Sequence, residues 1–223
     1  MKTPIILVNY KIYNEISGSR GLELAKICQE VSKKTGVNIA IAPQMIDLFY
    51  IAEKISIPVF SQHVDNIKPG SGTGKTTLEG IRATKAVGTL INHSENRLKI
   101  ADIENIVTKC KELGLISVVC TNNLAVSKAV AMFNPDFIAV EPPELIGGDI
   151  SVTDADPDIV KNTVKVIRDI SPKTKVLCGA GVKNGKDIKK AIELGAEGVL
   201  LASGVTKAKN PREVLEDLAK GAI

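Results

Sequence analysis

Apolar and polar positions divide the chain into two kinds of segment that alternate. Eight short runs rich in Ile, Val, Leu and Ala are bounded by turn-forming residues, which is typical of β-strands. These runs cover residues 5–8, 38–42, 59–62, 89–92, 116–120, 137–140, 175–178 and 198–201. Longer stretches between and after them repeat apolar residues at helical spacing, at residues 19–34, 44–55, 77–87, 100–113, 124–132, 157–170, 186–194 and 211–220. The pattern predicts a series of strand–helix units.

The character of the strand-like runs indicates how these units are arranged. The runs are apolar throughout rather than at every second position, which is typical of parallel strands buried on both faces. The chain contains no linker rich in Ser or Pro and no break in composition. We therefore predict an α/β protein in which residues 1–223 form a single domain, a (β/α)8 barrel. A doubly wound open sheet is the competing arrangement.

Composition and charge indicate which kinds of molecule this protein could bind. The 223 residues include 29 basic and 25 acidic side chains, a net charge of +4, and no basic run reaches five residues. This balance gives no support to a nucleic-acid surface and suits a small anionic substrate. No apolar run reaches the ~18 residues of a membrane span and no secretory leader is visible, so we expect a soluble cytoplasmic protein without a membrane partner. The four cysteines form no CxxC pair and are expected to be buried free thiols.

Polar side chains stand at the carboxyl ends of three predicted strands. Asn9 and Lys11 follow the first strand, His93 and Glu95 the fourth, and Glu141 the sixth. In a (β/α)8 barrel these ends meet on one face, where active sites are built. Each residue alone has a plain structural interpretation, as a solvated lysine, a hydrogen-bonded histidine or a glutamate that caps a turn. Together they indicate one catalytic site assembled from distant parts of the sequence.

Clusters of small residues that contain glycine follow the last two predicted strands, at residues 179–181 and 202–204. Such turns expose backbone N–H groups, and a helix that starts there adds positive potential, so barrel enzymes often bind phosphate at this place. The competing interpretation is that small residues are needed only for tight turns. Two clusters on consecutive strands favour phosphate.

Two other motifs suggest functions that their spacing does not support. His63 and His93 have no partner at metal-ligand spacing, so we expect no metal and interpret His63 as a structural residue. Residues 70–76 (GSGTGKT) look like a nucleotide-binding P-loop, but only three residues separate Gly70 from the Gly74-Lys75 pair. The motif requires four. An ATP-binding loop is therefore not expected.

These motifs, in this order, resemble the triosephosphate isomerase family. The resemblance extends over most of the chain, from residue 9 to residue 204. It is carried by Asn9-Tyr10-Lys11, by Asn92-His93-Ser94-Glu95, by Glu141-Pro142 with a glycine-bearing loop to Gly147-Gly148, and by the two clusters of small residues. The short length and the Glu-Pro-Pro-Glu-Leu-Ile-Gly segment are similar to the archaeal branch of that family.

The resemblance implies an activity and a role for each residue. Members of the family interconvert dihydroxyacetone phosphate and D-glyceraldehyde 3-phosphate through an enediolate, in glycolysis and gluconeogenesis, on a TIM barrel and without a cofactor. By position, Glu141 is the base that moves the proton and His93 is the neutral electrophile, which are roles known for the family. Lys11 would supply positive charge beside the substrate oxygen and the phosphate. Asn9 would add a donor, and Glu95 would pair with Lys11.

The resemblance also implies a lid, a phosphate site and an oligomer. Residues 142–148 correspond to the family's lid, which keeps water from the enediolate. The backbone amides expected to bind phosphate are those of Ile146, Gly147, Gly181, Ala202 and Ser203. Residues 70–74 correspond to the loop that inserts into the neighbouring subunit, where Thr73 would reach the partner's active site. We therefore expect a homo-oligomer, at least a dimer and, as is common in archaeal members, a homotetramer.

The chain departs from the family pattern in two places. Asn96 stands where a basic residue is common after His-Ser-Glu, although Arg97 follows at the next position. The lid carries Pro143-Glu144 in place of the usual Val-Trp. Neither change removes a group that does chemistry.

Two other functions remain open from the sequence. One is a different phosphate-binding barrel enzyme, such as an aldolase that forms a Schiff base on Lys11. The other is an inactive barrel that only binds a phosphorylated sugar. The presence of Lys11, His93 and Glu141 together argues against an inactive barrel.

Overall fold

The computed structural model of the chain describes residues 1–142 and 157–223. In these two ranges the strands are β1 Ile5–Asn9, β2 Asn38–Ala42, β3 Phe60–Ser61, β4 Gly88–Ile91, β5 Ile116–Thr121, β6 Phe137–Val140, β7 Lys175–Gly179 and β8 Gly198–Leu201. The helices are α1 Ser19–Thr35, α2 Leu48–Ala52, α3 Leu78–Ala83, α4 Ile100–Leu113, α5 Leu124–Ala131, α6 Pro157–Ile170, α7 Gly185–Glu193, α8 Ser203–Thr206 and α9 Pro211–Gly221, with 3-10 turns at Asn14–Ile16 and Met45–Asp47. Within the same ranges, no helix combines the length and the apolar character needed to cross a membrane.

The strands pair in parallel and curve into a barrel. Their order is β2-β1-β8-β7-β6-β5-β4-β3, and Ile5 of β1 lies opposite Asn38 on one side and Gly198 on the other. The ring closes between β2 and β3 through the bridge from Ile41 to Val59, next to a hydrogen bond of 3.1 Å from the Ile41 amide to the Pro58 carbonyl. The predicted (β/α)8 barrel is therefore confirmed, and the open sheet is wrong.

Two layers of apolar side chains explain why the strands are apolar throughout. Successive side chains of a strand point to opposite faces, so Ile5 and Leu7 point into the barrel while Ile6 and Val8 pack against the helices. The inner layer is formed by Ile5, Leu7, Ala40, Ala42, Phe60, Leu90, Val118, Cys120, Phe137, Ala139, Leu177 and Leu200. Because both faces are covered, neither face of a strand needs polar residues.

Several predicted elements are shorter than the hydrophobic pattern suggested. The run at 59–62 yields only the two residues of β3, because Gln62 leaves the sheet and its side-chain amide donates to the carbonyls of Ala42 and Lys11, at 3.0 and 2.9 Å. The predicted helix at 44–55 divides into a 3-10 turn and the short α2. Asn92, predicted to end a strand, instead adopts a left-handed backbone with φ of 62°.

The four cysteines are buried and free, as predicted. Burial raises the pKa of the Cys28, Cys110 and Cys178 thiols to about 12. These thiols are therefore protonated at neutral pH and behave as small apolar side chains.

Candidate active site

A cleft opens on the face of the barrel where the strands have their carboxyl ends. Its lining consists of Asn9, Lys11, Tyr13, His93, Glu141, Ala180, Gly181, Val182, Lys183, Leu200, Leu201, Ala202, Ser203 and Gly204. The cleft thus brings together seven of the predicted site residues, namely Asn9, Lys11, His93, Glu141, Gly181, Ala202 and Ser203. The predicted phosphate ligands Ile146 and Gly147 lie outside the described residues, as does the predicted lid from residue 143 onward.

The turn after β1 holds Lys11 in a fixed orientation. Lys11 adopts a left-handed backbone with φ of 49°, and its amide donates to Asn9 Oδ1 at 3.0 Å. Its Nζ lies 2.8 Å from Glu95 Oε1, so the two side chains form an ion pair. The Lys11 side chain is 14% exposed, whereas the Glu95 side chain is 57% exposed. The positive charge is therefore partly shielded from water and acts strongly on groups inside the cleft.

His93 is oriented by the backbone of the turn that follows it. The Glu95 amide donates to His93 Nδ1 at 3.2 Å, and this places the proton of the neutral ring on Nε2. Glu95 Oε2 lies 3.5 Å from the same Nδ1, on a side chain that is 57% exposed and whose other oxygen is paired with Lys11. We assign the tautomer from the backbone amide, because its position is fixed. His93 Nε2 then faces Glu141 Oε2 at 3.7 Å.

Glu141 follows β6 and is 7% exposed. Burial raises the pKa of its carboxyl group, although the neighbouring His93 and a hydrogen bond from the Cys120 thiol oppose this shift. Its Oε2 is buried and has no hydrogen-bond partner among the described residues. A carboxylate with a raised pKa and an unsatisfied oxygen is suited to accept a proton and to return it.

Gly179, the last residue of β7, makes room for Glu141. A Cβ atom at position 179 would lie 2.4 Å from Glu141 Cγ and 3.2 Å from Glu141 Oε1. The backbone of Gly179 is not left-handed, so the space occupied by Glu141 is the reason for glycine here. The sequence favoured phosphate binding over a tight turn as the reason for this cluster, and no sequence signal pointed to a contact with Glu141.

The turns after β7 and β8 form the opposite wall of the cleft. Ala180 and Gly181 both adopt left-handed conformations, with φ of 69° and 70°. Gly204 allows the two turns to pack together, since a Cβ there would lie 3.0 Å from the Val182 carbonyl oxygen. The first amides of α8, which begins at Ser203, have no acceptor within the helix. This wall therefore presents backbone N–H groups suited to an anion.

His63 and Thr73 do not line the cleft. His63 Nε2 lies 3.5 Å from an oxygen of Asp65, and the same carboxylate accepts from the Thr76 amide at 2.8 Å and from Lys75 Nζ at 2.9 Å. These contacts join the two ends of the loop that carries Thr73. Thr73 itself is exposed near the middle of that loop.

Five residues that line the cleft were not predicted from the sequence, namely Tyr13, Val182, Lys183, Leu200 and Leu201. Tyr13 and Lys183 each lie two positions after a predicted site residue, which is the only signal that could have indicated them. Leu200 and Leu201 belong to β8 and could not be distinguished from other core residues of a strand.

Fold and site together define an enzyme of the (β/α)8-barrel class whose cleft is equipped for acid–base chemistry. Comparison with known proteins identifies the family within this class. The sequence profile of the triosephosphate isomerase family matches residues 4–220. The chain is 56% identical over 216 residues to triosephosphate isomerase of Methanocaldococcus jannaschii, covering 97% of this chain and 99% of the relative. It is 51% identical over 218 residues to the enzymes of the same name from Methanobrevibacter smithii and Methanothermus fervidus, covering 98% of each chain.

The chain belongs to the triosephosphate isomerase family. The three relatives named above are archaeal, so the resemblance to the archaeal branch that was expected from the sequence is confirmed.

Proposed function

We propose that this chain is an aldose–ketose isomerase that interconverts dihydroxyacetone phosphate and D-glyceraldehyde 3-phosphate. One observation carries the proposal: the buried, unsatisfied Glu141 Oε2 faces His93 Nε2 at 3.7 Å inside the cleft. A base and a hydrogen-bond donor at this spacing can act on adjacent atoms of one small substrate. Family membership supports the choice of a triose phosphate.

The reaction requires two proton transfers by the same carboxylate. Glu141 removes a proton from the carbon beside the substrate carbonyl, and the electron pair of that C–H bond moves to the carbonyl oxygen to form an enediolate. His93 Nε2–H donates a hydrogen bond to this oxygen as negative charge develops on it. His93 then gives its Nε2 proton to the charged oxygen and recovers the hydroxyl proton of the other oxygen, so that the negative charge moves to that second oxygen. Protonated Glu141 finally returns a proton to the carbon that first carried the carbonyl, and the new carbonyl forms on its neighbour. Substrate and product are isomers, so no oxidant, reductant or cofactor is consumed.

The remaining residues of the cleft bind and orient the substrate. The Lys11 ammonium lies where it can stabilise both the enediolate oxygen and the phosphate, and Asn9 adds a donor at the same end. The amides of Gly181, Ala202 and Ser203 would bind the phosphate on the opposite wall. In this proposal Ile146 and Gly147 contribute two further amides, as their positions in the family motif imply.

Replacement of the base provides the test. We expect Glu141→Gln to lower kcat by at least ~10³-fold, because the amide cannot accept the proton. Glu197→Gln is the matched control, since Glu197 also has a buried oxygen without a partner among the described residues and lies before β8 at the other end of the barrel. A coupled assay of dihydroxyacetone phosphate formation measures both. Turnover near that of the unaltered chain in Glu141→Gln would refute the assignment.

The contacts of Lys11 favour the isomerase over the aldolase alternative. A Schiff base requires an amine that is free to reach the substrate carbonyl, whereas Lys11 Nζ is held 2.8 Å from Glu95 Oε1. Borohydride treatment with substrate should therefore leave Lys11 unmodified by mass spectrometry, and a stable adduct on Lys11 would favour the aldolase. The same coupled assay distinguishes an active enzyme from a barrel that only binds the sugar phosphate.

We also propose that the chain forms a homo-oligomer through the same face of the barrel, at least a dimer and, as in archaeal members of the family, a tetramer. Four large apolar side chains in the segments that follow β1 and β2 are exposed, namely Ile12, Ile46, Phe49 and Tyr50. Ile12 follows β1, Ile46 lies in the 3-10 turn after β2, and Phe49 and Tyr50 lie in α2. The loop with Thr73 follows β3. A second copy that covered these side chains would remove apolar area from water and bring Thr73 to its neighbour's cleft.

Light scattering tests the oligomer against the chain mass of 23.7 kDa. We expect a particle of two or four chains, and Ile46→Asp should shift it toward one chain and lower activity. Ile223→Asp, at an equally exposed apolar residue at the C-terminus, is the control and should change neither. A monomer with full activity would refute this part of the proposal. A cytoplasmic location, as expected for glycolysis and gluconeogenesis, is tested by cell fractionation.

A further inference from the structure

Asn92 lies immediately before His93 and has a backbone that few residues adopt. It follows β4, its φ is 62°, and it is 5% exposed. A left-handed backbone is unfavourable for most residues other than glycine, and asparagine tolerates it better than most. A buried residue in this conformation therefore needs compensating contacts.

Three hydrogen bonds supply those contacts. The Asn92 side-chain amide donates to the Cys120 carbonyl of β5 at 3.0 Å, and its Oδ1 accepts from the Leu98 amide at 2.9 Å. The Asn92 carbonyl accepts from Arg97 Nη1 at 3.2 Å. The side chain thus connects β5, the end of β4 and the segment that leads into α4.

These contacts close the turn that carries His93. Leu98 is the last residue of this turn and Asn92 the first, so the hydrogen bond between them joins the two ends of residues 92–98. Inside this turn the Asn96 amide donates to the His93 carbonyl at 2.8 Å, and the Glu95 amide donates to His93 Nδ1 at 3.2 Å. The backbone that positions the ring and the amide that sets its tautomer therefore belong to one closed unit.

We propose that Asn92 is a positioning residue for catalysis, which acts by holding the 92–98 turn so that His93 Nε2–H points at the substrate oxygen. The inference rests on the proposed role of His93 as the hydrogen-bond donor. Two properties of asparagine serve this purpose together, its tolerance of a left-handed backbone and its paired donor and acceptor. Glycine would keep only the first of these and alanine would keep neither.

Substitution of Asn92 separates the two properties. Asn92→Gly keeps the backbone conformation but loses both side-chain hydrogen bonds, and we expect it to lower kcat by at least ~10-fold with KM changed less than ~3-fold. Asn92→Ala should lower kcat further. The matched control is Asn134, which is also left-handed, with φ of 55°, and also uses its side chain as donor and acceptor, but lies before β6 at the other end of the barrel. Asn134→Gly should leave kcat within ~2-fold of the unaltered chain.

Histidine NMR supplies a readout that a purely structural role would not change. The chain contains two histidines, so ring-labelled ¹⁵N-histidine gives signals from His63 and His93 only. In the unaltered chain His93 should be the neutral tautomer with its proton on Nε2, and in Asn92→Gly its signals should broaden or move toward a mixture while those of His63 stay unchanged. The Asn134→Gly spectrum should match that of the unaltered chain.

The outcomes distinguish this inference from the proposed function. Absence of isomerase activity in the unaltered chain would refute the proposed function, whereas the NMR comparison would still report whether Asn92 holds His93. If the unaltered chain is active, an Asn92→Gly variant with unchanged kcat and unchanged His93 signals would overturn the inference. A loss of kcat in Asn92→Ala but not in Asn92→Gly would overturn it as well. If Asn92→Gly does not fold, Asn92→Asp, which keeps the acceptor for Leu98, is measured in the same way. Unchanged kcat in that folded variant would also overturn it.

Discussion

Gly179→Ala tests whether the absence of a side chain at the end of β7 sets the position of Glu141. The added Cβ would lie 2.4 Å from Glu141 Cγ, whereas ordinary contacts begin near 3.4 Å. The two atoms must therefore separate by about 1 Å, and the buried surroundings of Glu141 leave little room for this. A catalytic group displaced by ~1 Å can lose ~10²-fold in rate. We expect kcat to fall by that amount while KM changes little, because the amides of Gly181, Ala202 and Ser203, which we propose bind the phosphate, keep their positions.

Gly179→Ala should also lower the free energy of unfolding, and a second substitution can show whether the contact with Glu141 is the cause. Overpacking of this kind typically lowers the free energy of unfolding by ~1–3 kcal/mol. Glu141→Ala removes the Cγ atom, so Gly179→Ala should cost little in that background. Urea denaturation followed by circular dichroism, applied to the four members of this double-mutant cycle, measures the coupling. Gly80→Ala in α3 is the kinetic control, since a Cβ there meets only the Thr77 side chain.

Two results would refute the reasoning about Gly179. One is a kcat near that of the unaltered chain in Gly179→Ala. The other is an equal loss of stability from Gly179→Ala in the presence and in the absence of the Glu141 side chain. The added methyl group would then clash with atoms other than those of Glu141.

Three further predictions concern charge and helix capping. Burial raises the pKa of Glu141 above its ordinary value of 4.5. The folded state therefore binds this proton more tightly than the unfolded state does, and the carboxyl group destabilises the fold as pH rises above 4.5. Glu141→Gln should therefore unfold at higher urea concentration than the unaltered chain at pH 7, with the difference shrinking toward pH 4, and a pH-independent difference would contradict this. Lys11→Met should lower kcat/KM by at least ~10²-fold, whereas Lys34→Met, which breaks an exposed ion pair of 3.0 Å, should have almost no effect. Equal losses in the two variants would argue against a local role of Lys11. Asn184→Ala removes the capping box of α7 and should lower the free energy of unfolding by ~1 kcal/mol in urea denaturation, while an unchanged midpoint would show that the cap adds nothing.

The apolar runs were sufficient to predict the barrel because both faces of each strand are covered. The predicted strand ends were wrong where a side chain, rather than a neighbouring strand, forms the hydrogen bonds at the end of a strand. Gln62 looks like the end of a strand, but its amide satisfies the carbonyls of Ala42 and Lys11. Asn92 also looks like a strand end, but its backbone is left-handed and its side chain donates to the carbonyl of Cys120, a residue far away in sequence.

Sequence motifs indicated which residues to expect at the site, and only the packed structure shows how each is held. Lys11, His93 and Glu141 could be proposed because strand ends converge in a barrel. The tautomer of His93 depends on the Glu95 amide, and the raised pKa of Glu141 depends on burial, so neither follows from residue spacing. The contact of Gly179 with Glu141 joins two neighbouring strands and leaves no signature in either segment.

The weak pairing between β2 and β3 determines where the barrel opens locally. The chain's first and last strands, β1 and β8, are joined by four paired positions, whereas β2 and β3 meet at the bridge from Ile41 to Val59. Fewer hydrogen bonds must break to separate β2 from β3 than to separate the two ends of the chain. Amide hydrogen exchange in the barrel should therefore begin near Val59, inside the sequence rather than at either end, and the strand at the N-terminus should be among the last to open.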